Sequence, residues 1–279
     1  MTSESLPPLR GRTILMSGGS RGIGLAIALR AARDGANLAI LAKTDQPHPR
    51  LAGTIHTAAS EIEEAGGSAL AIVGDVRDAD SIERAVRATV KRFGAIDIVV
   101  NNASAIDLSP STELQVKKFD LMHQIEVRGT FLLTRAALPH LRESDHAHIL
   151  TLSPPLNLSK RWLGAHVGYM LAKYGMTLAA LGFAAEFEAY GIASNTLWPR
   201  TAIATAAVQN LLGGDEVMRR SRAPEIMGDA AHIVLRRAPM EQTGQTLIDD
   251  EVLAGAGVTD LSAYQQGDGA ELVPDFFLD

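Results

Sequence analysis

The chain has no cysteine, which excludes disulfides, thiolate nucleophiles and cysteine-based zinc sites. That absence fits a reducing compartment, and a cytoplasmic location is expected. Aromatic residues are scarce at 5%, whereas apolar residues reach 46%, so a large core has to be built mainly from Ala, Leu, Ile and Val. Positive charge is not in excess. The net charge of −6 argues against nucleic acid held on a basic face. No apolar run approaches the roughly 18 residues of a membrane span. The first residues, Met1 to Leu9, are polar and contain proline, unlike the charged-then-apolar order of a secretory signal. The eight histidines show no metal-ligand spacing, so no metal site is expected. Internal repeats and linkers are also missing, and residues 1–279 read as one domain.

What is present is an alternation of short apolar runs with helical patterns. Strands are expected at 13–16, 37–42, 69–73, 96–100, 148–152, 192–197 and 246–248. Helices are expected at 23–33, 55–64, 79–93, 119–141 and 167–190. Such alternation implies an α/β fold with a parallel sheet covered on both faces. The continuous apolar runs agree, because strands buried on both sides need no polar face. The tail after Val258 is rich in Gly, Asp and Gln, and reads as a loosely packed arm or an oligomer contact.

Two local patterns carry chemistry. Ser17-Gly18-Gly19-Ser20-Arg21-Gly22-Ile23-Gly24 joins the first strand to the first helix. Glycines at 18, 22 and 24 let the backbone approach a pyrophosphate and let helix and strand pack closely. The same spacing also suits an ordinary glycine-rich turn. Further on, Tyr169 and Lys173 lie four apart, on one face of a helix. A free phenol has a pKa of ~10, too high for a general base near neutrality, and a neighbouring ammonium lowers it. Tyr174 has only Leu178 at that spacing. Tyrosine and lysine four apart also occur by chance. Together, the two patterns point to a nicotinamide-dependent oxidoreductase.

The second strand ends Leu41-Ala42-Lys43, with no acid to bind a ribose 2′-hydroxyl. Arg21 and Lys43 instead favour a 2′-phosphate by charge, so NADP is the expected cofactor. Asp45 nearby argues the other way, and both cations suit a solvated surface equally.

These residues resemble the short-chain dehydrogenase/reductase family over about residues 10–250. The blocks Ser153-Pro154-Pro155-Leu156-Asn157-Leu158, Ala172-Lys173-Tyr174-Gly175-Met176 and Leu197-Trp198-Pro199-Arg200-Thr201-Ala202-Ile203 resemble one subgroup of it. Eukaryotic members of that subgroup carry a C-terminal sterol-carrier domain, for which this chain is expected to be too short. The resemblance implies a Rossmann-type, three-layer, doubly wound sheet of seven parallel strands, with 259–279 as an arm. It implies that Gly18, Ser20, Arg21, Gly22, Ile23, Lys43, Pro199, Thr201 and Ile203 hold the cofactor with Tyr169 and Lys173. Asp75 and Val76 would contact the adenine, and Asn102 would line the cofactor path.

Two positions depart from the family pattern. Pro154 stands where a substrate-binding serine is usual, and it offers neither hydroxyl nor N–H. Ser153, rather than Ser159, is expected to serve instead, although Ser153 also reads simply as a strand end. Glu126 stands where the family has an asparagine that holds a water chain. Glu126 is expected to act as a relay acceptor paired with Lys173, directly or through water. Ser104 replaces a usual glycine. The expected activity is reversible exchange between a secondary alcohol and a ketone on a lipophilic small molecule. Residues 206–224, with Val208, Leu211, Leu212 and Met218, read as an apolar lid or as the core of a small helical subdomain. Helices 119–141 and 167–190 are long, and the second is apolar on more than one face; the resemblance implies that the two form an isologous two-fold contact, so a homodimer or homotetramer is expected. A catalytically weak NADP-binding sensor or scaffold is the rival, supported by Pro154 and Glu126.

Overall fold

Strands of Ile, Val, Leu and Ala have no polar side to offer water, so the sheet they form is covered on both faces. The computed structural model describes residues 8–47, 53–267, 269 and 271–279; most of the polar start, Met1 to Leu9, lies outside them. Seven strands pair in parallel: β1 (Thr13–Ser17), β2 (Asn37–Ala42), β3 (Ser68–Val73), β4 (Ile98–Asn101), β5 (His148–Thr151), β6 (Ala193–Trp198) and β7 (Thr246–Ile248). Their order is β3-β2-β1-β4-β5-β6-β7. The chain leaves β1 toward one edge and returns through β4 toward the other. That reversal opens a crevice beyond the carboxyl ends of β1 and β4, where ligands bind in open α/β sheets.

Two cores flank the sheet. On one face, α1 (Gly22–Ala32), α2 (Ile55–Glu64), α10 (Glu225–Leu235) and α11 (Asp249–Gly255) bury Ile27, Ile62, Ile226 and Leu253 against Ile14, Met16 and Ile40. On the other face, α3 (Ala79–Phe93), α5 (Gly129–Leu141) and α7 (Val167–Glu186) bury Ile82, Leu133 and Phe183 against Leu15, Val99 and Ile149. The remaining helices are α4 (Val116–His123), α6 (Lys160–Ala165), α8 (Ala206–Leu211) and α9 (Gly214–Arg219). Among the described residues, no helix is long and apolar enough to cross a membrane, and no cluster of His, Cys, Asp or Glu has metal-site geometry.

Four expectations need correction. The single helix over 119–141 is α4, then a π turn at Gln124–Arg128, then α5. A π turn adds a residue to the helical circuit, and such turns cluster at functional sites. Here it carries the fully buried Glu126. The helix begun at Val167 stops at Glu186, and a 3-10 turn at Glu188–Tyr190 follows. The arm is not loosely packed at its end, because Phe277 and Leu278 are buried. In the 206–224 stretch, Val208, Leu211 and Leu212 face the crevice and Met218 does not.

The turn after β1 tolerates little bulk. A Cβ on Gly24 would stand 2.5 Å from Asn102 Nδ2 and 2.7 Å from the carbonyl oxygen of Gly18. Gly24→Ala should therefore destabilise the protein by about 1–3 kcal/mol, through strain in a packed site. Chemical denaturation measures this; an unchanged midpoint would show that the turn yields freely.

Candidate active site

A cavity of about 620 Å³ fills the crevice between the carboxyl ends of the strands, within the range usual for small-molecule sites. Its outer end is the glycine turn. Gly18 has φ +76° and Gly22 φ +55°, backbone that side chains disfavour. The turn is clamped from β4. Asn102 Nδ2 donates to the carbonyls of Ser17 and Gly18, while the N–H groups of Asn102 and Ala103 donate to Ser17 Oγ. Bare backbone beside a helix start is the environment a pyrophosphate needs, so the residues present fit a dinucleotide. Gly18, Ser20, Arg21, Gly22 and Ile23 line this end; Lys43, Asp75, Val76 and Asn102 continue the wall, and Pro199 and Ile203 lie further in.

Thr201 does not line the cavity. It is buried and pairs with Pro274 in the arm. Thr205 takes a place in the wall instead, packs beside Gly22 and caps α8 by accepting from the N–H of Val208. Sequence reasoning missed it because the path of the loop after Pro199, which turns Ile203 and Thr205 into the wall and Thr201 out of it, leaves no local pattern.

At the end of β2, Lys43 Nζ is 3.1 Å from Asp75. Asp75 also takes hydrogen bonds from Arg77. Arg77 first, then Lys43, hold its carboxyl far below the ordinary carboxylate range. Lys43 is therefore ion-paired, although its side chain stays 60% exposed. Arg21 donates to the carbonyl of Gly53 at 2.8 Å. Asp45 turns away from the cavity to His56 at 2.6 Å.

The inner end is built on α7. Tyr169 and Lys173, one turn apart, are both buried and both reach the cavity. Lys173 Nζ donates to the carbonyl of Leu152 at 3.1 Å and lies 5.2 Å from the Trp198 ring centre. Gly175 lets α7 come down on the π turn, since a Cβ there would be 2.6 Å from Val127 Cγ2. Glu126 is thereby brought into the field of Lys173. They form no direct ion pair, contrary to the simplest form of the expectation. One Glu126 oxygen accepts from Ser104 Oγ at 2.6 Å and from the N–H of Ala105 at 3.2 Å; Oε2 has no partner among the described residues.

These surroundings reverse one expected sign. Burial, then the charges of Glu126 and Asp275, push the Tyr169 hydroxyl well above the ordinary phenol. Burial lowers the Lys173 ammonium, while Glu126 and Asp275 pull it back up. Burial also raises Glu126, against the opposing charge of Lys173. The desolvation of a phenolate outweighs the attraction of one ammonium when two carboxyl groups share the site.

Ser153, expected at the substrate oxygen, does not reach the cavity. It is fully buried, with Oγ 3.0 Å from the Thr177 hydroxyl, which in turn donates to the carbonyl of Pro154. Ser159 does not line the cavity either. Of this segment only Leu152 lines the wall; Ser153 and Pro154, the next two residues, do not. The serine hydroxyls in the wall are Ser20, in the glycine turn, and Ser104, the one near Tyr169 and Lys173 and bonded to Glu126. Tyr174 is structural: its hydroxyl accepts from the N–H of Asn157 and donates to the carbonyl of the same residue.

The arm completes the inner wall with Asp275 and Phe276, and seats Phe277 against Tyr169, Tyr174 and Trp198. No pattern in 259–279 signals this, beyond the apolar run Phe276-Phe277-Leu278 near its end.

Comparison with known proteins agrees with this geometry. The family model described as short chain dehydrogenase matches residues 12–214. Hydroxysteroid dehydrogenase-like protein 2 of Danio rerio is 52% identical over 97% of this chain, and that of Homo sapiens 49% over the same share. The chain spans about 65% and 64% of their respective lengths. A solved protein of Xanthomonas campestris superposes with a TM-score of 0.95 at 55% identity, covering 98% of this chain and 100% of that one. A short chain dehydrogenase of Mycobacterium thermoresistibile gives a TM-score of 0.92 at 59% identity, covering 97% and 96%. With a seven-stranded parallel sheet, a glycine turn after β1 and a Tyr–Lys pair at the far end of one cavity, this chain belongs to the short-chain dehydrogenase/reductase family, whose members are oxidoreductases using a nicotinamide cofactor.

Proposed function

We propose that the chain interconverts a secondary alcohol and a ketone on a lipophilic substrate, with NADP(H) as cofactor. The observation that carries this reading is the placement of Tyr169 and Lys173 at the inner end of a cavity whose outer end is the glycine turn. When bound, the nicotinamide supplies a hydride for reduction or takes one up in oxidation. Tyr169 moves the matching proton at the substrate oxygen. Its burial keeps the phenol protonated near neutrality, which suits it to donate that proton to a ketone. Lys173, fixed through Leu152, orients the nicotinamide ribose and stabilises phenolate when it forms. Glu126 is a positioning residue: it fixes Ser104 and Ala105 and favours a charged Lys173. Leu152, Trp198, Val208 and Leu212 give the substrate region its apolar character.

One observation favours a second reading, a catalytically weak NADP-binding sensor or scaffold: neither Ser153 nor Ser159 reaches the cavity. Turnover separates the two. Tyr169→Phe should lower ketone reduction at least ~100-fold, the range of general acid–base catalysis, with cofactor affinity nearly unchanged. Because the Tyr169 proton is held tightly, the wild-type rate of alcohol oxidation should still be climbing at about pH 9. Full activity in Tyr169→Phe, measured by NADPH absorbance, would remove Tyr169 from the chemistry.

The cofactor reading rests on the missing acid at the end of β2 and on Arg21 and Lys43 in the wall there. NADPH should bind at least ~10-fold more tightly than NADH, which needs about 1.4 kcal/mol from a charge-assisted contact. Lys43→Ala should narrow that ratio, and equal affinities in wild type, read by calorimetric titration, would overturn it.

Assembly follows from α5 and α7, which leave Phe131, Leu171 and Leu178 at 48%, 45% and 58% exposure. Pairing of these helices about a two-fold axis buries them, giving a homodimer or homotetramer. Light scattering should report that mass, and Leu178→Arg should reduce it; a wild-type monomer at micromolar concentration would refute the assembly.

A further inference from the structure

The arm threads past the catalytic end and is fastened at several points. The N–H of Ala202 donates to the carbonyl of Val273, and that of Asp275 to the carbonyl of Arg200. Trp198 Nε1 donates to the carbonyl of Phe276, and Trp162 Nε1 to the Asp279 carboxylate. Phe277 is buried at φ +70°, an unusual conformation for a residue with a side chain. It lies 6.1 Å from the Tyr169 ring, while Phe276 is edge-on to the same ring at 6.2 Å. These contacts hold Asp275 in the cavity wall beside Tyr169 and Lys173.

The Asp275 carboxyl is only partly satisfied there. One oxygen accepts from the adjacent Phe276 N–H at 2.7 Å. Among the described residues, the one further hydrogen bond of Asp275 is made by its backbone N–H, to the carbonyl of Arg200. Asp275 lines the cavity, and its second carboxyl oxygen has no hydrogen bond among the described residues. An under-paired carboxyl among Leu152, Trp198 and Phe276 strongly discriminates between ligands, since a buried polar group costs free energy unless a partner reaches it.

We propose that Asp275 is a specificity-determining residue of this site: it selects ketones that carry a hydroxyl or other hydrogen-bond donor near the carbonyl, and rejects ketones that carry a carboxylate there. The inference rests on the oxidoreductase reading above and names the substrate chemistry of that same site.

The groups facing Asp275 determine how the selection varies with pH. Asp249 at the start of α11 is a second buried acid, raised to about 6. Tyr169 and Lys173 face it from α7, and Glu126 stands behind them on the π turn. Burial first, then Asp249, raise Asp275 to about 7, with Lys173 opposing. Below that pH the neutral carboxyl donates as well as accepts, and tolerates a carboxylate. Above it, the ionised group accepts only and repels one. Rejection of carboxylates should therefore grow as pH rises through about 7.

The test compares three ketones of one skeleton with NADPH: 2-hydroxyacetophenone, acetophenone and benzoylformate. Wild type should favour the hydroxyketone over benzoylformate by at least ~10-fold in kcat/KM, increasingly so on the alkaline side. Asp275→Asn keeps the shape and should flatten the pH dependence of that ratio while readmitting benzoylformate. Asp275→Leu should remove the advantage of the hydroxyketone over acetophenone. Binding of 1-phenyl-1,2-ethanediol and mandelate, followed by tryptophan fluorescence, reads the same selection without turnover. If no ketone is reduced but Asp275 still governs that binding preference, the oxidoreductase reading fails and the selectivity stands. If wild type binds or reduces the carboxylate compound equally well, or if both Asp275 variants keep wild-type ratios, the role of Asp275 is overturned.

Discussion

Lys173 carries its ammonium into a region that water reaches only through the cavity, and the catalytic end is arranged around that charge. A buried cation needs hydrogen bonds and opposite charge to persist. The Leu152 carbonyl supplies the first, and Glu126 and Asp275 supply the second without touching it. The face of Trp198 adds a weaker attraction. Each supporting group comes from a different part of the chain: the end of β5, the π turn, the arm and the end of β6. Closing these segments around one side chain fixes the inner wall of the cavity.

The same crowding decides the state of Tyr169. With carboxyl groups on two sides and little solvent, its proton is held more tightly than in a free phenol. In these surroundings the Tyr169 hydroxyl stays protonated near neutrality. The π turn is the device that makes this possible. It packs Val127 under Gly175 of α7 and carries Glu126 inward, where it accepts from Ser104.

The glycine turn at the outer end of the cavity is governed by sterics. Gly18, Gly22 and Gly24 leave bare backbone under the first turn of α1, and Asn102 locks that turn to the neighbouring strand. The two ends meet only because the sheet order reverses between β1 and β4.

Much of the fold is legible in the sequence. The bounds of β2, α2, α3 and β7 agree with their hydrophobic patterns to the residue, since burial on a sheet or a helix face leaves a local periodic trace. The glycine turn and the Tyr169–Lys173 pair are equally local: close backbone approach requires the first, and the helical repeat requires the second. What lies beyond local reach was decided by packing. Ser153 and Thr201 face away from the cavity, while Thr205 and Ser104 face into it, because a one-residue step or a loop's path decides which side chain points inward. Glu126 bonds Ser104 rather than Lys173, and Asp275 arrives from a tail with no periodic signal. The sequence by itself determined most of the elements and the placing of Tyr169 and Lys173 one turn apart on a helix. Only the tertiary structure decided which carboxyl groups surround them and hence the direction of their shifts, because desolvation and Coulomb energy depend on distances between segments far apart in the chain.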